Sequence, residues 1–253
     1  MAHYVIGDIH GEYDKYTRHL IAHGLASDTL SWRGGSDHLW VMGDFFDRGP
    51  EGLQALELTI KLQLEAADAG GAVHALIGNH DVLMIAAKRF GGGYYDYWQT
   101  IGGVADDLAG LTDRHLAWLM RLPALRRAHS TLFMHADAKL YLNYGDTIDA
   151  VNEAFYKVVS GDDQEAFDAL IEAFGEHRGF VEGVGEPQNA KTLLDTFGGS
   201  RIVHGHSPIE KTTDQDSPDI TEAFVYNNGL CVNVDGGMYR GGPGFVYTLP
   251  ETD

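Results

Sequence analysis

Three short apolar runs in the first third of the chain each end in a glycine followed by an oxygen-bearing side chain. The runs cover residues 4–6, 39–42 and 73–77, and they end in Gly7-Asp8, Gly43-Asp44 and Gly78-Asn79. Asp8, Asp44 and Asn79 lie 36 and then 35 positions apart, which is the length of a strand, a crossover helix and two loops. The apolar spacing between the second and third runs is helical, at Leu53, Leu56, Ile60 and Leu64. This alternation predicts a parallel sheet covered by helices, with the polar residues gathered beyond the carboxyl ends of the strands.

The remainder of the chain has a less regular pattern. Glycines 91–93 precede an aromatic cluster at 94–98, which predicts a loop, and residues 114–121 predict a short helix. Two acidic helical stretches are expected within residues 146–175. Further strands are expected at 131–134, 201–203, 230–234 and 245–249, and we assign the last three to a second sheet packed on the first. The predicted organisation is one domain over residues 1–253, with a helical cap inserted around 140–198.

Charge and cysteine content exclude several classes of partner and site. Lys and Arg number 18 against 37 Asp and Glu, a formal net charge of −19, so the surface repels nucleic acid backbones and anionic membranes. We therefore expect neither as a partner, and a site for a phosphate-bearing substrate has to build local positive charge. Cys231 is the only cysteine, which excludes an intrachain disulfide and a thiolate metal cage. Without a membrane-length apolar run or a secretory signal pattern, the expected location is the cytoplasm.

The residues after the strands have the chemistry of metal ligands. Asp8 and His10 alternate along an extended backbone, so their side chains project to the same side. Carboxylate, amide and imidazole ligands suit Mn, Fe, Zn or Co better than Ca, which prefers oxygen ligands alone. Two such ions about 3.5–4 Å apart clamp the attacking and leaving oxygens of an in-line displacement. The set therefore predicts a site for two divalent ions.

Five ordered motifs between residues 7 and 208 carry a family resemblance. The motifs are Gly7-Asp8-Ile9-His10-Gly11, Gly43-Asp44 with Asp47-Arg48-Gly49, Gly78-Asn79-His80-Asp81, Met134-His135-Ala136-Asp137 and His204-Gly205-His206-Ser207-Pro208. Together they resemble the metallophosphoesterase superfamily, in its phosphoprotein phosphatase branch. The likeness is greatest to the lambda phage-like Ser/Thr protein phosphatases and the symmetrical diadenosine tetraphosphatases. It implies an α/β fold, a four-layer α/β/β/α sandwich of two mixed sheets flanked by helices.

The resemblance also implies roles for the metal ligands. Asp8 and His10 match ligands of a first metal, and Asp44 matches the carboxylate that bridges both ions. Ligands of the second metal are matched by Asn79, His135 and His206. Manganese is the expected ion, and Fe, Zn and Co also fit. His204 precedes the unit that supplies one ligand, and we assign it a supporting or packing role.

The catalytic roles follow from the same motifs. His80 resembles the general acid that protonates the leaving oxygen, and Asp47 the carboxylate that orients it. Arg48 matches an arginine whose planar fork holds two phosphoryl oxygens, alongside Asn79 and His80. Arg178 is the first candidate for a second arginine of this kind, because an Arg-Gly pair in an irregular segment suits a loop that reaches into a site. The other candidates are Arg201, at the start of a strand, and Arg240, in a Gly-rich turn.

The substrate signals in the sequence are divided. Asp81 stands where the phosphoprotein phosphatase branch usually has Glu, and Asp there occurs in the diadenosine tetraphosphatases. Asp47, however, is a carboxylate that those dinucleotide hydrolases commonly lack. The aromatic cluster 94–98 either stacks an adenine ring or packs within a loop. We expect hydrolysis of phosphomonoesters by direct attack of a metal-bridged hydroxide, on a phosphoprotein or a small phosphoester. The alternatives are a dinucleoside polyphosphate hydrolase and a phosphate-binding or scaffold protein without catalysis.

Overall fold

The computed structural model describes residues 1–250, which form two β-sheets lying face to face. The first sheet has the strand order β3-β2-β1-β9 and the second has the order β4-β5-β6-β8-β7. The nine strands within residues 1–250 are β1 His3–Ile6, β2 His38–Val41, β3 Ala72–Ala75, β4 Leu125–Ala128, β5 Thr131–Met134, β6 Arg201–His204, β7 Phe224–Tyr226, β8 Cys231–Asn233 and β9 Val246–Thr248. The last three residues of the predicted domain, 251–253, lie outside the described residues.

The first sheet is built on the repeated pattern of the sequence. Strands β1, β2 and β3 pair in parallel, with Ile6 beside Val41 and Val41 beside Ala75. The prediction that residues 245–249 belong to the second sheet is wrong, because β9 pairs antiparallel with β1. The edge of β1 opposite to β2 needs backbone partners, and β9 supplies them. Such a pairing over more than two hundred residues leaves no local signal in the sequence.

The second sheet contains a parallel centre with antiparallel edges. Strands β5, β6 and β8 are parallel, whereas β4 pairs antiparallel with β5 and β7 with β8. The carboxyl ends of β5 and β6 therefore point the same way, and they lead directly into His135 and Gly205.

Alternation along the strands divides the core into two parts. Val5 and Trp40 point into the space between the sheets, whereas Ile6 and Leu39 point towards the helices. Between the sheets Trp40 stacks on Phe133, with ring centroids 3.9 Å apart and planes nearly parallel. Burial of side chains of this size contributes roughly 2–3 kcal/mol each, so these contacts fix the two sheets against each other.

Within residues 1–250, nine α-helices cover the outer faces and one end of the sheets. They are α1 Tyr13–Ala22, α2 Gly52–Asp68, α3 Asn79–Phe90, α4 Gly92–Thr100, α5 Ala105–Gly110, α6 Asp113–Leu119, α7 Ile148–Ser160, α8 Gln164–Ala173 and α9 Gln188–Phe197. Helix α2 packs on β3 of the first sheet, and α7 and α9 pack on β4 and β6 of the second. The predicted α/β/β/α sandwich is confirmed. Within residues 1–250 no helix combines the length and the apolar character that a membrane crossing requires.

The loop predicted for the aromatic cluster 94–98 is wrong, because these residues form helix α4. Gly91 ends α3 with φ 61° and the chain turns at once into the next helix. Trp98 is completely buried, and α4 packs along α3. Glycine and aromatic residues have modest helix propensity, so the burial of Trp98 rather than local preference stabilises this helix.

Candidate metal centre

The loops after β1 and β2 are joined by backbone hydrogen bonds. The N–H of His10 donates to the carbonyl of Asp44 at 2.8 Å, and the N–H of Gly49 donates to the carbonyl of His10 at 2.9 Å. Two glycines let the chain pass against the acidic side chains: a Cβ on Gly78 would overlap Asp44 Oδ1, and a Cβ on Gly205 would overlap Asp8 Oδ1. The repeated glycines therefore allow close packing of backbone against candidate ligands.

Backbone strain is concentrated in these loops. Residues other than glycine rarely adopt positive φ angles, because the Cβ then crowds the backbone. Six residues that the sequence predicts for the site do so, namely His10, Asp44, Asp47, Arg48, Arg178 and His206. Each such residue costs of order 1–3 kcal/mol, which the surrounding fold has to offset. Positive φ angles thus cluster at residues that the sequence predicts for the site, as strained residues often do at functional sites.

Two clusters of ligand atoms share Asp44. His10, Asp44 and His80 form one set and Asp44, His135 and His206 the other; the ligand atoms of each set lie within 4.8 Å of one another. Asp44 Oδ2 is 3.5 Å from His10 Nε2, and Asp44 Oδ1 is 3.5 Å from His135 Nε2. All of these side chains are buried. The two oxygens of one carboxylate thus face two different histidines.

Hydrogen bonds to the backbone fix the orientation of three imidazole rings. His10 Nδ1 lies 2.8 Å from the carbonyl oxygen of Phe46, and His135 Nδ1 lies 2.7 Å from that of Met42. His206 uses its other nitrogen, Nε2, against the carbonyl oxygen of Glu176 at 3.1 Å. A carbonyl only accepts, so each ring donates its N–H there and turns a lone pair to the site. Burial is the main reason why the pKa values of all three rings are lowered, and the lowered pKa keeps the rings in this neutral form.

Asn79 brings a further oxygen to the same point. Its Oδ1 lies 3.0 Å from His135 Nε2 and 2.9 Å from His206 Nδ1, the two nitrogens left without a hydrogen. Lone pairs on an amide oxygen, a carboxylate and two imidazoles that converge in a buried space repel one another unless a cation lies between them. The chemistry of this donor set therefore fits a divalent ion of the Mn, Fe, Co or Zn type.

Asp8 lies beside these clusters rather than within either set of three. Its two oxygens accept the backbone N–H of His206 at 3.2 and 3.0 Å. Nearby, Asp235 is buried, and its Oδ2 has no hydrogen-bond partner. Burial, then the negative charge of Asp235 and then that of Asp44 raise the pKa of Asp8 well above its usual value. Closely spaced buried carboxylates, one of which has an oxygen without a hydrogen-bond partner, are the second observation that fits a bound cation.

The pKa of Asp44 moves in the opposite direction. Burial by itself would raise it, but the imidazoles around the carboxylate, led by His135 and His80, lower it below the ordinary range. Asp44 is therefore charged at neutral pH, as a bridging ligand has to be.

His80 belongs to a separate chain of hydrogen bonds that starts at the clusters. Its Nδ1 lies 2.6 Å from Asp47 Oδ2, and Asp47 Oδ1 accepts the indole N–H of Trp98 at 2.7 Å. Asp47 and Trp98 are completely buried. The carboxylate is thus held from both sides, and it fixes the ring of His80 with Nε2 directed to the site.

Arg48 lies between the clusters and the surface. Its guanidinium donates to His10 Nε2 at 2.8 Å and to His80 Nε2 at 2.9 Å, and it lies over the ring of Tyr239 at 4.1 Å from the centroid. A fork with two N–H groups directed at the site has the geometry that a phosphoryl group needs.

The three candidates for a second phosphate-binding arginine, Arg178, Arg201 and Arg240, have different surroundings. Arg178 shares a cavity of about 430 Å³ with Arg48, and its guanidinium donates to the carbonyl of Lys211 at 3.1 Å. Arg201 begins β6, and Arg240 pairs with Glu210. Of the three candidates, Arg178 is the one that shares a cavity with Arg48.

His204 has partners outside the ligand clusters. It is buried, and its Nε2 lies 2.8 Å from the hydroxyl of Tyr226. The supporting or packing role of His204 stays a prediction.

Three residues at the site received no role from the sequence. Asp81 accepts the backbone N–H groups of Asp44, Phe45 and Gly78 at 2.9–3.0 Å and so ties the second and third loops together. The other two are Asp235 and His177, and the ring of His177 stacks on that of His206 at 4.0 Å. Trp98, which the sequence assigned either to adenine stacking or to loop packing, is buried and donates to Asp47. Asp81 directly follows His80 in the third motif, and that position could have indicated that Asp81 lies at the site. Asp235 and His177 lie far from the motif residues that they approach, and the sequence carries no mark of that proximity.

Comparisons with known proteins give a consistent result. The family model of the calcineurin-like phosphoesterases matches residues 1–233. A symmetrical bis(5'-nucleosyl)-tetraphosphatase of Neisseria meningitidis is 32% identical over 136 residues, 54% of this chain and 43% of that protein. Shewanella-like protein phosphatase 2 of Arabidopsis thaliana is 39% identical over 80 residues, 32% of this chain and 20% of that protein. This chain thus spans less than half the length of either relative.

A solved structure resembles the chain over nearly its whole length. The cold-active protein-tyrosine phosphatase of a psychrophilic Shewanella species superposes with a TM-score of 0.75 and 24% identity, over 99% of this chain and 75% of that one. At this identity the likeness shows the fold.

Proposed function

Because the chain belongs to the calcineurin-like phosphoesterase family, as its motifs predicted, we propose that it hydrolyses phosphomonoesters with the help of two divalent metal ions. The preferred substrate is a phosphoprotein or a small phosphoester, in the manner of a Ser/Thr protein phosphatase. The observation that carries the proposal is the pair of ligand clusters that share Asp44, together with the hydrogen bond between His80 and Asp47.

The metal ligands divide into two groups. Asp8, His10 and Asp44 would hold the first ion, and Asp44, Asn79, His135 and His206 would hold the second. When bound, such ions supply positive charge for phosphoryl oxygens and lower the pKa of water so that hydroxide is available at neutral pH. Manganese is the ion that we propose.

Two arginines hold the phosphoryl group. Arg48 exchanges its present acceptors, His10 Nε2 and His80 Nε2, for two phosphoryl oxygens. Arg178 turns from the carbonyl of Lys211 into the cavity that it shares with Arg48. Both arginines also provide the local positive charge that a chain of net charge −19 needs for an anionic substrate.

His80 gives a proton from Nε2 to the leaving oxygen. Asp47 accepts the Nδ1 hydrogen, and Trp98 in turn holds Asp47 in place. A fixed ring delivers its proton in one direction, and general acids of this type contribute roughly 10²–10⁴-fold in rate. No protein side chain attacks phosphorus in this scheme, so no phosphorylated protein intermediate is expected.

The remaining predictions concern the setting of the site. We propose that residues 140–198 cover the centre as a cap, since α8 and the loop after it reach the site at Phe174 and His177. The acidic surface supports the absence of nucleic acid and membrane partners, and the cytoplasm remains the proposed location.

The names of the relatives support two substrate classes. One relative is a tetraphosphatase of dinucleotides and another is a protein phosphatase. Dinucleoside polyphosphate hydrolysis is therefore the second candidate. A phosphate-binding or scaffold protein without catalysis is the third, and the intact pairing of His80 with Asp47 disfavours it.

The test compares three substrates on protein loaded with Mn²⁺. A phosphoserine peptide, p-nitrophenyl phosphate and diadenosine tetraphosphate are offered separately, each with and without excess EDTA. We expect metal-dependent turnover of the two monoesters, faster than of the dinucleotide, and complete loss of activity in EDTA. Faster turnover of the dinucleotide would support the second candidate, and turnover that survives full metal removal would contradict the proposal.

A further inference from the structure

A second and larger cavity opens next to the proposed reaction centre. It has a volume of about 650 Å³ and lies between the turn that joins α3 to α4 and one face of α8. Its walls include Phe90, Tyr94, Tyr97, Asp168 and Glu172. We name it the acid–aromatic cavity.

The acid–aromatic cavity borders the smaller cavity that His80 lines. A smaller cavity of about 170 Å³ lies directly over Asp44, Asn79 and His80. Tyr97 and Ile171 line both cavities, so they share a wall. If His80 protonates the leaving oxygen, as the proposed function requires, the leaving group lies in the smaller cavity, which borders the acid–aromatic cavity at Tyr97 and Ile171.

The walls of this cavity carry negative charge without a balancing cation. Asp168 and Glu172 lie four positions apart on α8, and both are exposed. Asp168 accepts the hydroxyl of Tyr94 at 2.7 Å, a contact that leaves its charge in place. Among the described residues that line the cavity, none is Lys or Arg. The nearby Arg89 is engaged by Asp162 at 2.7 Å and by the carbonyl of Val159.

A different cavity beside the centre has the reverse charge. The cavity of about 430 Å³ that contains Arg48 and Arg178 also contains Lys211. The cleft is therefore positive where the phosphoryl group is held and negative where the leaving group departs. A leaving group with its own phosphates would meet two carboxylates and no cation.

We propose that the acid–aromatic cavity holds the peptide part of a phosphopeptide and selects for a basic side chain close to the phosphorylated residue. This proposal rests on the proposed function and extends that function by naming the substrate class. A guanidinium or ammonium group finds two carboxylates there, and Tyr97, half of whose surface is exposed, offers a ring face for a cation–π contact. The nucleoside diphosphate released from a symmetrical dinucleotide is repelled by the same groups.

The experiment uses two phosphoserine peptides that differ only in the residue next to phosphoserine, Arg in one and Glu in the other. The protein is loaded with Mn²⁺, and kcat/KM is measured at low salt and again in 0.5 M NaCl. We expect the Arg peptide to be preferred about tenfold or more at low salt, and the preference to shrink at high salt because exposed charges are screened. Equal kcat/KM values for the two peptides at low salt overturn the proposal.

Charge variants locate the effect. Asp168→Asn combined with Glu172→Gln should reduce the preference to about twofold, and Glu172→Lys should reverse it. The matched control, Asp149→Asn with Glu165→Gln, removes two exposed charges that do not line the cavity and should keep the full preference. The affinity for the dephosphorylated Arg peptide, measured by calorimetry, should fall in the cavity variant and stay unchanged in the control variant.

The outcomes separate this proposal from the proposed function. One outcome would be metal-dependent turnover of p-nitrophenyl phosphate together with a charge preference that is unchanged in the cavity variant. That outcome overturns the proposed role of the cavity and leaves the proposed phosphoesterase activity standing. Faster turnover of a nucleoside monophosphate or of diadenosine tetraphosphate than of the Arg peptide also overturns it. Failure to hydrolyse any of these esters overturns both.

Discussion

Histidines gather at both ends of the two sheets, and the two groups differ in their surroundings. The carboxyl-end histidines, after the strands, are His10, His80, His135 and His206. The amino-end histidines, at the other end of the strands or nearby, are His3, His38, His74 and His129. The four amino-end imidazoles form one connected set of ring contacts, and the four carboxyl-end imidazoles form two contacting pairs. The comparison therefore separates what histidine supplies from what its neighbours supply.

At the amino end the rings meet one another and an indole. His74 Nε2 lies 3.2 Å from His38 Nδ1, and Trp40 donates its indole N–H to His3 Nδ1 at 3.1 Å. His3 Nε2 is buried without a partner. Within residues 1–250, no set of three metal-ligating atoms includes an amino-end histidine.

At the carboxyl end the same ring type meets carboxylates and backbone carbonyls. Asp44 faces two rings, and three carbonyl oxygens each take one ring hydrogen. The lone pairs are thereby directed to a common point before any ion arrives. The density of histidines does not distinguish the two ends, whereas the carboxylates and the fixed ring hydrogens do.

The largest expected difference between the ends is in turnover. His80→Asn should lower kcat by roughly 10²–10⁴-fold with the metal content unchanged, because a general acid is lost and no proposed ligand is removed. His38→Asn removes one imidazole from the amino end and should leave both kcat and the metal content unchanged. Steady-state kinetics and elemental analysis of the two variants measure this, and an unchanged rate in His80→Asn would remove that residue from its role.

The next effect concerns Asp235, whose Oδ2 has no hydrogen-bond partner. Asp235→Asn should raise the free energy of unfolding of the metal-free protein by about 1–3 kcal/mol at pH 8, since it removes a buried and incompletely hydrogen-bonded charge. Burial raises the pKa of Asp235 to about 7, so the carboxyl is charged at that pH. With saturating Mn²⁺ the gain should disappear, because the cation then compensates the charge.

Denaturant unfolding of wild type and Asp235→Asn, without metal and with saturating Mn²⁺, measures the change in unfolding free energy in each condition. Lower stability of the metal-free variant would show that Asp235 is already compensated by the protein.

The smallest expected effect is a dependence of stability on pH from the amino end. Burial, then Arg126 and the neighbouring histidines His38 and His3, lower the pKa of His74 to about 4 from its usual 6.5. The unfolded chain therefore binds more protons than the folded one between these values, so His74 lowers stability as the pH falls from about 6.5 to 4. His74→Gln should remove on the order of 1 kcal/mol of that loss, given its partial exposure.

The carboxyl end of the metal-free protein should respond in the opposite sense. Burial raises the pKa of Asp137 to about 8, so its protonation favours the folded state as the pH falls. The difference between wild type and His74→Gln, measured by urea unfolding at pH 4.5 and 7, isolates the histidine. Equal pH profiles for the two proteins would contradict the assignment.

Much of the fold and of the candidate site follows from local sequence. The Gly-Asp and Gly-Asn units mark the ends of strands β1 to β3, and the spacing between them has the length of a crossover unit. Strand alternation and parallel pairing then bring Asp8, Asp44 and Asn79 to one edge without any knowledge of distant contacts.

What the sequence could not predict depends on contacts between distant segments. Strand β9 joins β1 across the length of the chain, and helix α4 forms because Trp98 is buried next to Asp47. Asp235 approaches Asp8 from more than two hundred residues away. The charge of the acid–aromatic cavity arises because α8 lies opposite the turn between α3 and α4, which no spacing within either segment indicates.

The central claim is that one carboxylate, Asp44, joins two metal sites at the carboxyl end. Titration of metal-free protein with Mn²⁺ by calorimetry, followed by elemental analysis, counts the ions in wild type, Asp44→Asn and His38→Asn. The expected result is two ions per chain in wild type and in His38→Asn, and at most one weakly held ion in Asp44→Asn. Two tightly bound ions in Asp44→Asn, or fewer than two in wild type, would contradict the claim.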